Sequence, residues 1–110
     1  MRPLRRDEAD LLNALIALVP ETDRPNVPTQ LCAVDLRDGG MGSIRVIAGS
    51  DDAPRRMGRE LVTASYTDED GVPVLISLNL DEGGGLFEID IWKVDFSPLR
   101  RYPRPGDLDR

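Results

Sequence analysis

Two acidic side chains near the C-terminal end of the chain, Glu88 and Asp90, have a spacing that suits carboxylate chemistry. On a β-strand, residues two apart lie on one face, so their carboxylates project together at about 7 Å. With Asp95 beyond them, such groups can act as general acid and base or hold a divalent cation. One interpretation is therefore a small metal-binding or ligand-binding protein, or an enzyme. The sequence contains no histidine, which excludes Ser-His-Asp and Cys-His nucleophilic sites.

The same two carboxylates share a strand face with Trp92, and this favours a different function. An aromatic anchor among acidic side chains is typical of a surface that docks a basic protein, because charge speeds the encounter and the ring supplies affinity. The leading interpretation is a non-enzymatic protein-binding module. Its predicted partner-binding residues are Glu88, Asp90, Trp92, Asp68, Asp70, Asp81 and Glu82. For Trp92 taken alone, burial in the core is the more common outcome.

Charge is distributed unevenly along the 110 residues. The chain has 14 basic and 20 acidic side chains, and residues 60–95 hold nine of the acidic ones with a single lysine. An acidic segment of this kind repels the phosphates of nucleic acids. The sequence therefore disfavours DNA or RNA as a partner and favours a basic protein. It contains no motif for a cofactor, and it leaves open a homodimer through an edge strand or the Trp92 face.

The start of the chain and its cysteine content predict the compartment. Residues 1–6 lack the apolar core of a secretory signal, and Cys32 is the single cysteine, which excludes an intramolecular disulfide. The longest apolar run, 14–19, is far shorter than the roughly 18 residues of a membrane span. We expect a cytoplasmic protein that does not enter a membrane.

One amphipathic helix is predicted near the N-terminus. Asp7 suits the N-cap, and apolar residues recur at helical spacing from Glu8 to Val19, just before Pro20. Residues 20–28 contain three prolines and predict an extended connection. Because one face of this helix is apolar, it must pack against another element.

Five strands are predicted after this connection. The runs are 31–36, 43–48, 60–67, 72–80 and 86–96, and the polar stretch 49–59 is predicted to be a loop or a short helical turn. An Asp-Gly-Gly sequence after the first run predicts a hairpin, and short turns make the last three strands a meander. In the last strand the apolar face switches near Ile91 and Trp92, which suggests a bulge, a bend or a region covered on both faces.

Together these elements predict an α+β domain. An N-terminal amphipathic helix packs on one face of a mainly antiparallel five-stranded sheet, whose last three strands form a meander. The length suits a single domain over residues 1–110. Within it we expect an ordered core over about 4–99 and an irregular tail rich in arginine and proline over 100–110.

Two motifs carry a resemblance to a known family. Residues 38–43 read Asp-Gly-Gly-Met-Gly-Ser, and residues 86–99 read Leu-Phe-Glu-Ile-Asp-Ile-Trp-Lys-Val-Asp-Phe-Ser-Pro-Leu, with Asp-Glu-Asp-Gly-Val-Pro-Val over 68–74 between them. Over about residues 4–99 the chain resembles a family of small bacterial proteins described only as a domain of unknown function, which implies no activity and no catalytic residue. In size and charge it is also similar to immunity proteins that neutralise a toxin, which implies an inhibitor of a basic partner.

Overall fold

The computed structural model describes residues 1–49 and 53–110 of the chain. In that part of the chain it contains one α-helix, α1 (Arg6–Ala17), and six strands: β1 (Arg2–Pro3), β2 (Leu31–Asp35), β3 (Ile44–Ala48), β4 (Met57–Thr67), β5 (Pro73–Asp81) and β6 (Leu86–Lys93). All neighbouring strands pair antiparallel, in the order β1-β2-β3-β6-β5-β4. The α+β class and the antiparallel sheet are confirmed, and β4, β5 and β6 form a meander.

The sheet has six strands rather than the predicted five. The additional strand, β1, pairs Arg2 with Ala33 and Pro3 with Cys32. Two residues show no alternation that a sequence pattern can reveal, and a proline is compatible with a strand only at an edge or an end. The Arg2 guanidinium donates two hydrogen bonds to the buried carboxylate of Glu8, at 2.7 and 2.8 Å. This tertiary contact fixes the position of β1.

Helix α1 begins and ends two residues before its predicted limits. Arg5 is the N-cap instead of Asp7, because the Glu8 carboxylate is buried and accepts the backbone N–H of Arg5 at 2.8 Å. At the other end, the side chains of Arg24 and Arg110 donate to the free carbonyl groups of the last turn. A contact within the first turn therefore sets the N-terminal end, and arginines from outside the helix cap the C-terminal end.

The core lies between α1 and one face of the sheet. In β6, Ile89 and Ile91 point into this core, whereas Asp90 and Trp92 lie on the opposite face and are exposed. The alternation follows the two-residue period of a strand. Side chains that join this core from the helix and its C-terminal end are Leu11, Leu12, Leu15, Ile16 and Val19.

β6 is regularly paired where the sequence suggested a bulge. Ile91 and Trp92 both pair with β5 without a register shift. The irregularity lies at the other end of the strand, where Phe87 has no partner in β5. β6 ends at Lys93, so residues 94–96 belong to the following turn. The switch of apolar residues to even-numbered positions therefore reflects the exposed side chains of Trp92, Val94 and Phe96 and not a bulge.

The C-terminal segment has little regular structure, but it is held against the sheet. Asp109 and Ser65 exchange two backbone hydrogen bonds of 2.6 and 2.8 Å. The hydroxyl of Tyr66 donates to the carbonyl of Arg101 at 2.8 Å. The last residues therefore cover part of the outer edge of β4. Of the predicted loop 49–59, residues 50–52 lie outside the described residues.

Within the described residues, no helix is long and apolar enough to cross a membrane.

Candidate functional site

The uncovered face of β6 and the turn after it present acidic and apolar side chains together. Trp92 and Val94 are each 40% exposed and Phe96 is 67% exposed. The rings of Trp92 and Phe96 lie 6.0 Å apart at an interplanar angle of 55°. Trp92, for which the sequence left both burial and exposure open, therefore lies at the surface. We call this set the acid–aromatic surface; it consists of Glu88, Asp90, Trp92, Val94 and Phe96.

Phe96 adopts a backbone conformation that is unfavourable for a phenylalanine. Its φ is 64°, and within the described residues no other non-glycine residue has a positive φ. The left-handed region costs about 1–2 kcal/mol for a residue with a Cβ. The turn is fixed by the N–H of Phe96, which donates to the carbonyl of Lys93 at 2.8 Å, and by Asp95, which accepts from the N–H and hydroxyl of Ser97 at 3.0 and 2.7 Å. The turn therefore presents a strained aromatic residue to solvent.

The motif at residues 38–43, just before β3, holds the end of β6 in place. The Asp38 carboxylate accepts the backbone N–H groups of Met41 and Ser43 at 3.1 and 2.8 Å. The Ser43 hydroxyl accepts the N–H of Ile91 at 2.8 Å and donates to its carbonyl at 3.2 Å. The N–H of Lys93 donates to the Met41 sulfur at 3.3 Å. Side chains thus extend the short β3–β6 pairing to the end of the strand.

A buried ion cluster lies under the acid–aromatic surface, and we call it the lysine cluster: Lys93, Asp68 and Asp70. The Lys93 ammonium, which is fully buried, donates to Asp68 at 2.9 Å and to Asp70 at 2.6 Å, and also to the carbonyl of Pro98 at 3.2 Å. Asp68 also accepts the backbone N–H groups of Glu69, Arg100 and Arg101 at 2.8, 2.9 and 3.0 Å. The cluster therefore ties the turn after β6 to the turn between β4 and β5.

The lysine cluster keeps its charges because its hydrogen bonds outweigh burial. Burial alone raises the pKa of Asp68, but the N–H of Arg100, the Lys93 ammonium and the other backbone donors lower that pKa to about 2. Burial alone lowers the pKa of Lys93, but the carboxylates of Asp70 and Asp68 leave it raised. Both groups are ionised at neutral pH, so the buried charges are compensated.

We expect the lysine cluster to make folding stability dependent on acid. Because the pKa of Asp68 falls from 3.8 in the unfolded chain to about 2 in the folded one, its contribution is complete above pH about 5 and is lost as pH falls through 4 to 2. The shift corresponds to about 2 kcal/mol. Urea unfolding at a series of pH values measures this loss. The Asp68→Asn variant should lose correspondingly less stability over the same range; an identical pH dependence would contradict the assignment.

The structure places the predicted partner-binding residues in different environments. Asp68 is buried in the lysine cluster, and Asp70 is paired with Lys93. Asp81 accepts from the Arg55 guanidinium at 3.1 Å and from two backbone N–H groups of its own turn, so its pKa is lowered despite burial. Glu82 is exposed in the β5–β6 turn, at the opposite end of β6 from Trp92. Glu88, Asp90 and Trp92 alone share the outer face of β6.

The opposite end of β6 carries an aromatic residue with two cations. The guanidinium carbons of Arg45 and Arg55 lie 5.3 and 5.2 Å from the ring centroid of Phe87. Arg55 also donates to the carbonyls of Val46 and Leu86 at 2.7 and 2.9 Å. Both guanidinium groups are within the range of cation–π attraction. The Phe87 ring is therefore already in contact with two cations of the same chain.

Comparison with protein-family models matches residues 1–103 to a family described as a domain of unknown function, DUF6984. This match covers nearly the whole chain. The chain belongs to the DUF6984 family. A search of curated proteins and a search of solved structures gave no match. The resemblance to an uncharacterised family is thus confirmed, and the family assigns no reaction to this DUF6984 chain.

The metal-binding interpretation finds no assembled ligand set in the DUF6984 chain. Across residues 1–49 and 53–110, no three His, Cys, Asp or Glu side chains are grouped so that they could hold a metal ion. Asp95 bonds to Ser97 in the turn after β6 and does not join Glu88 and Asp90. An open concavity of about 630 Å³ lies at the β5–β6 turn, between Arg55 and Glu82. It is at the end of β6 away from Trp92.

Val94, Phe96 and Lys93 are residues of the site that the sequence did not single out. Val94 and Phe96 continue the apolar even-numbered positions after Trp92, a pattern that predicts a change of strand face. Lys93 is the single lysine of the sequence, and it follows the odd-numbered buried positions of β6. This odd-numbered position was the one feature of the sequence that indicated a buried ammonium group in need of partners.

Proposed function

We propose that this DUF6984 chain is a non-enzymatic protein-binding module whose acid–aromatic surface docks a basic partner protein. The observation that carries the proposal is Phe96, which is 67% exposed in a left-handed conformation beside exposed Trp92. A glycine or asparagine would suit this backbone at lower cost. A residue that costs stability and gains little from burial is explained by a role outside the fold.

The apolar part of the surface has the composition of an interface centre. The rings of Trp92 and Phe96 lie in tilted contact, and Val94 lies between them in sequence. Tryptophan is among the residues that contribute most binding energy when a partner excludes water from them. In the free protein this area remains in water. A partner that covers it gains hydrophobic free energy that the fold itself does not use.

The charged part of the surface favours a basic partner. Within the described residues, Glu88, Asp90 and Asp95 form no ion pair with any basic side chain; they accept hydrogen bonds from an amide, hydroxyl groups and a backbone N–H. Uncompensated carboxylates beside an apolar patch attract positively charged surfaces and repel acidic ones. A module that covers a functional basic surface in this way would act as an immunity-type inhibitor.

The test is capture followed by reconstitution. The tagged protein is incubated at low salt with lysate of its native host, alongside the Glu88→Lys, Asp90→Lys double variant. The Asp10→Lys, Glu21→Lys double variant is the matched control, because it makes the same charge change at exposed positions elsewhere. We expect one basic protein to be retained by the wild type and the control and lost from the first variant.

Calorimetry with the two purified proteins then measures the complex directly. We expect the Glu88→Lys, Asp90→Lys variant to weaken binding at least tenfold, since like charges replace opposite ones at the contact. The control should bind like the wild type. Equal binding by all three proteins, or a captured partner that is acidic, would contradict the proposed surface.

A further inference from the structure

Strand β6 carries two aromatic residues, and their surroundings differ in one respect. Phe87 has a guanidinium group at 5.2 Å and another at 5.3 Å from its ring centroid. Trp92, near the other end of the strand, contacts the ring of Phe96, and within the described residues no cation lies over it. Tryptophan is the aromatic side chain that attracts cations most strongly. Trp92, whose ring is better suited to bind a cation than that of Phe87, is therefore the one that has no cation over it in the described residues.

A carboxylate stands beside the unoccupied ring. Asp90 is two residues before Trp92 on the same strand face, so the two side chains are about 7 Å apart at their attachment to the backbone. Asp90 is exposed and forms no ion pair in the described part of the chain. Lys93, the neighbouring cation in sequence, is buried on the other face and paired with Asp68. The chain thus places a ring and a negative charge together without supplying the positive group that both attract.

We infer that the acid–aromatic surface accepts an arginine side chain of the partner, with the guanidinium stacked on the Trp92 ring and hydrogen-bonded to Asp90. The inference rests on the proposed protein-binding function and adds the chemical group that is recognised. Guanidinium is favoured over ammonium because it is planar, is weakly hydrated, stacks on rings and can form two parallel hydrogen bonds with a carboxylate. Arg45 and Arg55 on Phe87 show the same pairing within this chain.

Glu88 has a smaller role in this inference than Asp90. It lies opposite Arg45 in the pairing of β3 with β6 and accepts from the side chain of Asn79 at 3.2 Å. It is also farther from Trp92 along the strand. The specific contact is therefore assigned to Asp90 and Trp92, and Glu88 contributes only to the general negative potential.

The test uses single amino-acid derivatives as probes, so it does not depend on finding the partner. N-acetyl-arginine amide is titrated at millimolar concentrations into the protein, and the indole N–H resonance of Trp92, the only tryptophan, is followed by NMR. N-acetyl-citrulline amide, which has nearly the same shape without the charge, is the control probe. We expect a saturable shift with the arginine probe, a weaker shift with the lysine analogue, and none with the citrulline probe.

Variants assign the contact to its residues. Asp90→Asn should weaken the response to the arginine probe at least threefold, whereas Asp10→Asn, the same change at an exposed position of helix α1, should leave it unaltered. An equal shift with the citrulline probe, or an unaltered response in Asp90→Asn, would overturn the inference. If capture of a basic protein still depends on Trp92 and Phe96 in that case, the proposed function stands and only the guanidinium contact is wrong.

Discussion

Replacing Asp68 by alanine is expected to lower the free energy of unfolding by about 3–5 kcal/mol, because one partner of a buried ion pair is removed and the other stays. The substitution also leaves the N–H groups of Glu69, Arg100 and Arg101 without their acceptor. The buried Lys93 ammonium would retain Asp70 and the Pro98 carbonyl. Urea unfolding at pH 7 measures the difference.

A neighbouring carboxylate supplies the control for Asp68. Glu69 lies in the same turn but is exposed, and its ion pair with Arg101 is 4.0 Å long. Glu69→Ala should change stability by no more than about 0.5 kcal/mol, as for other exposed ion pairs. Comparable decreases in the free energy of unfolding for the two variants would mean that the lysine cluster does not stabilise the fold more than an exposed ion pair does.

Replacing Phe96 by asparagine is expected to weaken partner binding at least tenfold while leaving the fold equally or more stable. Binding falls because an exposed aromatic anchor is removed. Stability does not fall, because asparagine tolerates the left-handed conformation and Phe96 is only one-third buried, with φ at 64°. Calorimetry with the purified partner and thermal unfolding of the free protein measure the two effects.

Phe96→Ala separates the ring from the backbone. Alanine removes the same ring and its contact with Trp92 but keeps the cost of the left-handed conformation. We expect both variants to bind weakly and the asparagine variant to be more stable than the alanine variant by about 1 kcal/mol. An asparagine variant that is the less stable of the two would show that φ at this position is not a source of strain.

The secondary structure was largely predictable because it depends on local patterns. In β5 the apolar residues fall on alternate positions, and the strand was placed within one residue of its observed limits, Pro73–Asp81. Helix α1 was displaced by two residues, since the buried Glu8 carboxylate accepts the N–H of Arg5 and since Arg24 and Arg110, which lie outside the helix, donate to carbonyl groups at its C-terminal end. β1 was missed because a two-residue strand exists only through its partner.

The role of each acidic residue was not predictable in the same way. Asp68, Asp70 and Asp90 look equivalent in the sequence, and all were predicted to face a partner. In the structure the first is buried, the second is paired with Lys93, and the third is exposed without an ion pair. The difference arises because the β4–β5 turn meets the end of β6 on the core side, whereas Asp90 points to the outer face.

Composition and short-range spacing are sufficient to predict the α+β class, the acidic character of the last strands and the alternation that puts Asp90 and Trp92 on one face. The tertiary structure decided that Trp92 is exposed, that Phe96 lies beside it in a left-handed turn, and that the one lysine is buried between two aspartates. Lys93 meets Asp68 and Asp70 only when the β4–β5 turn packs against the end of β6, and the solvent exposure of Trp92 and Phe96 is likewise set only when the chain packs.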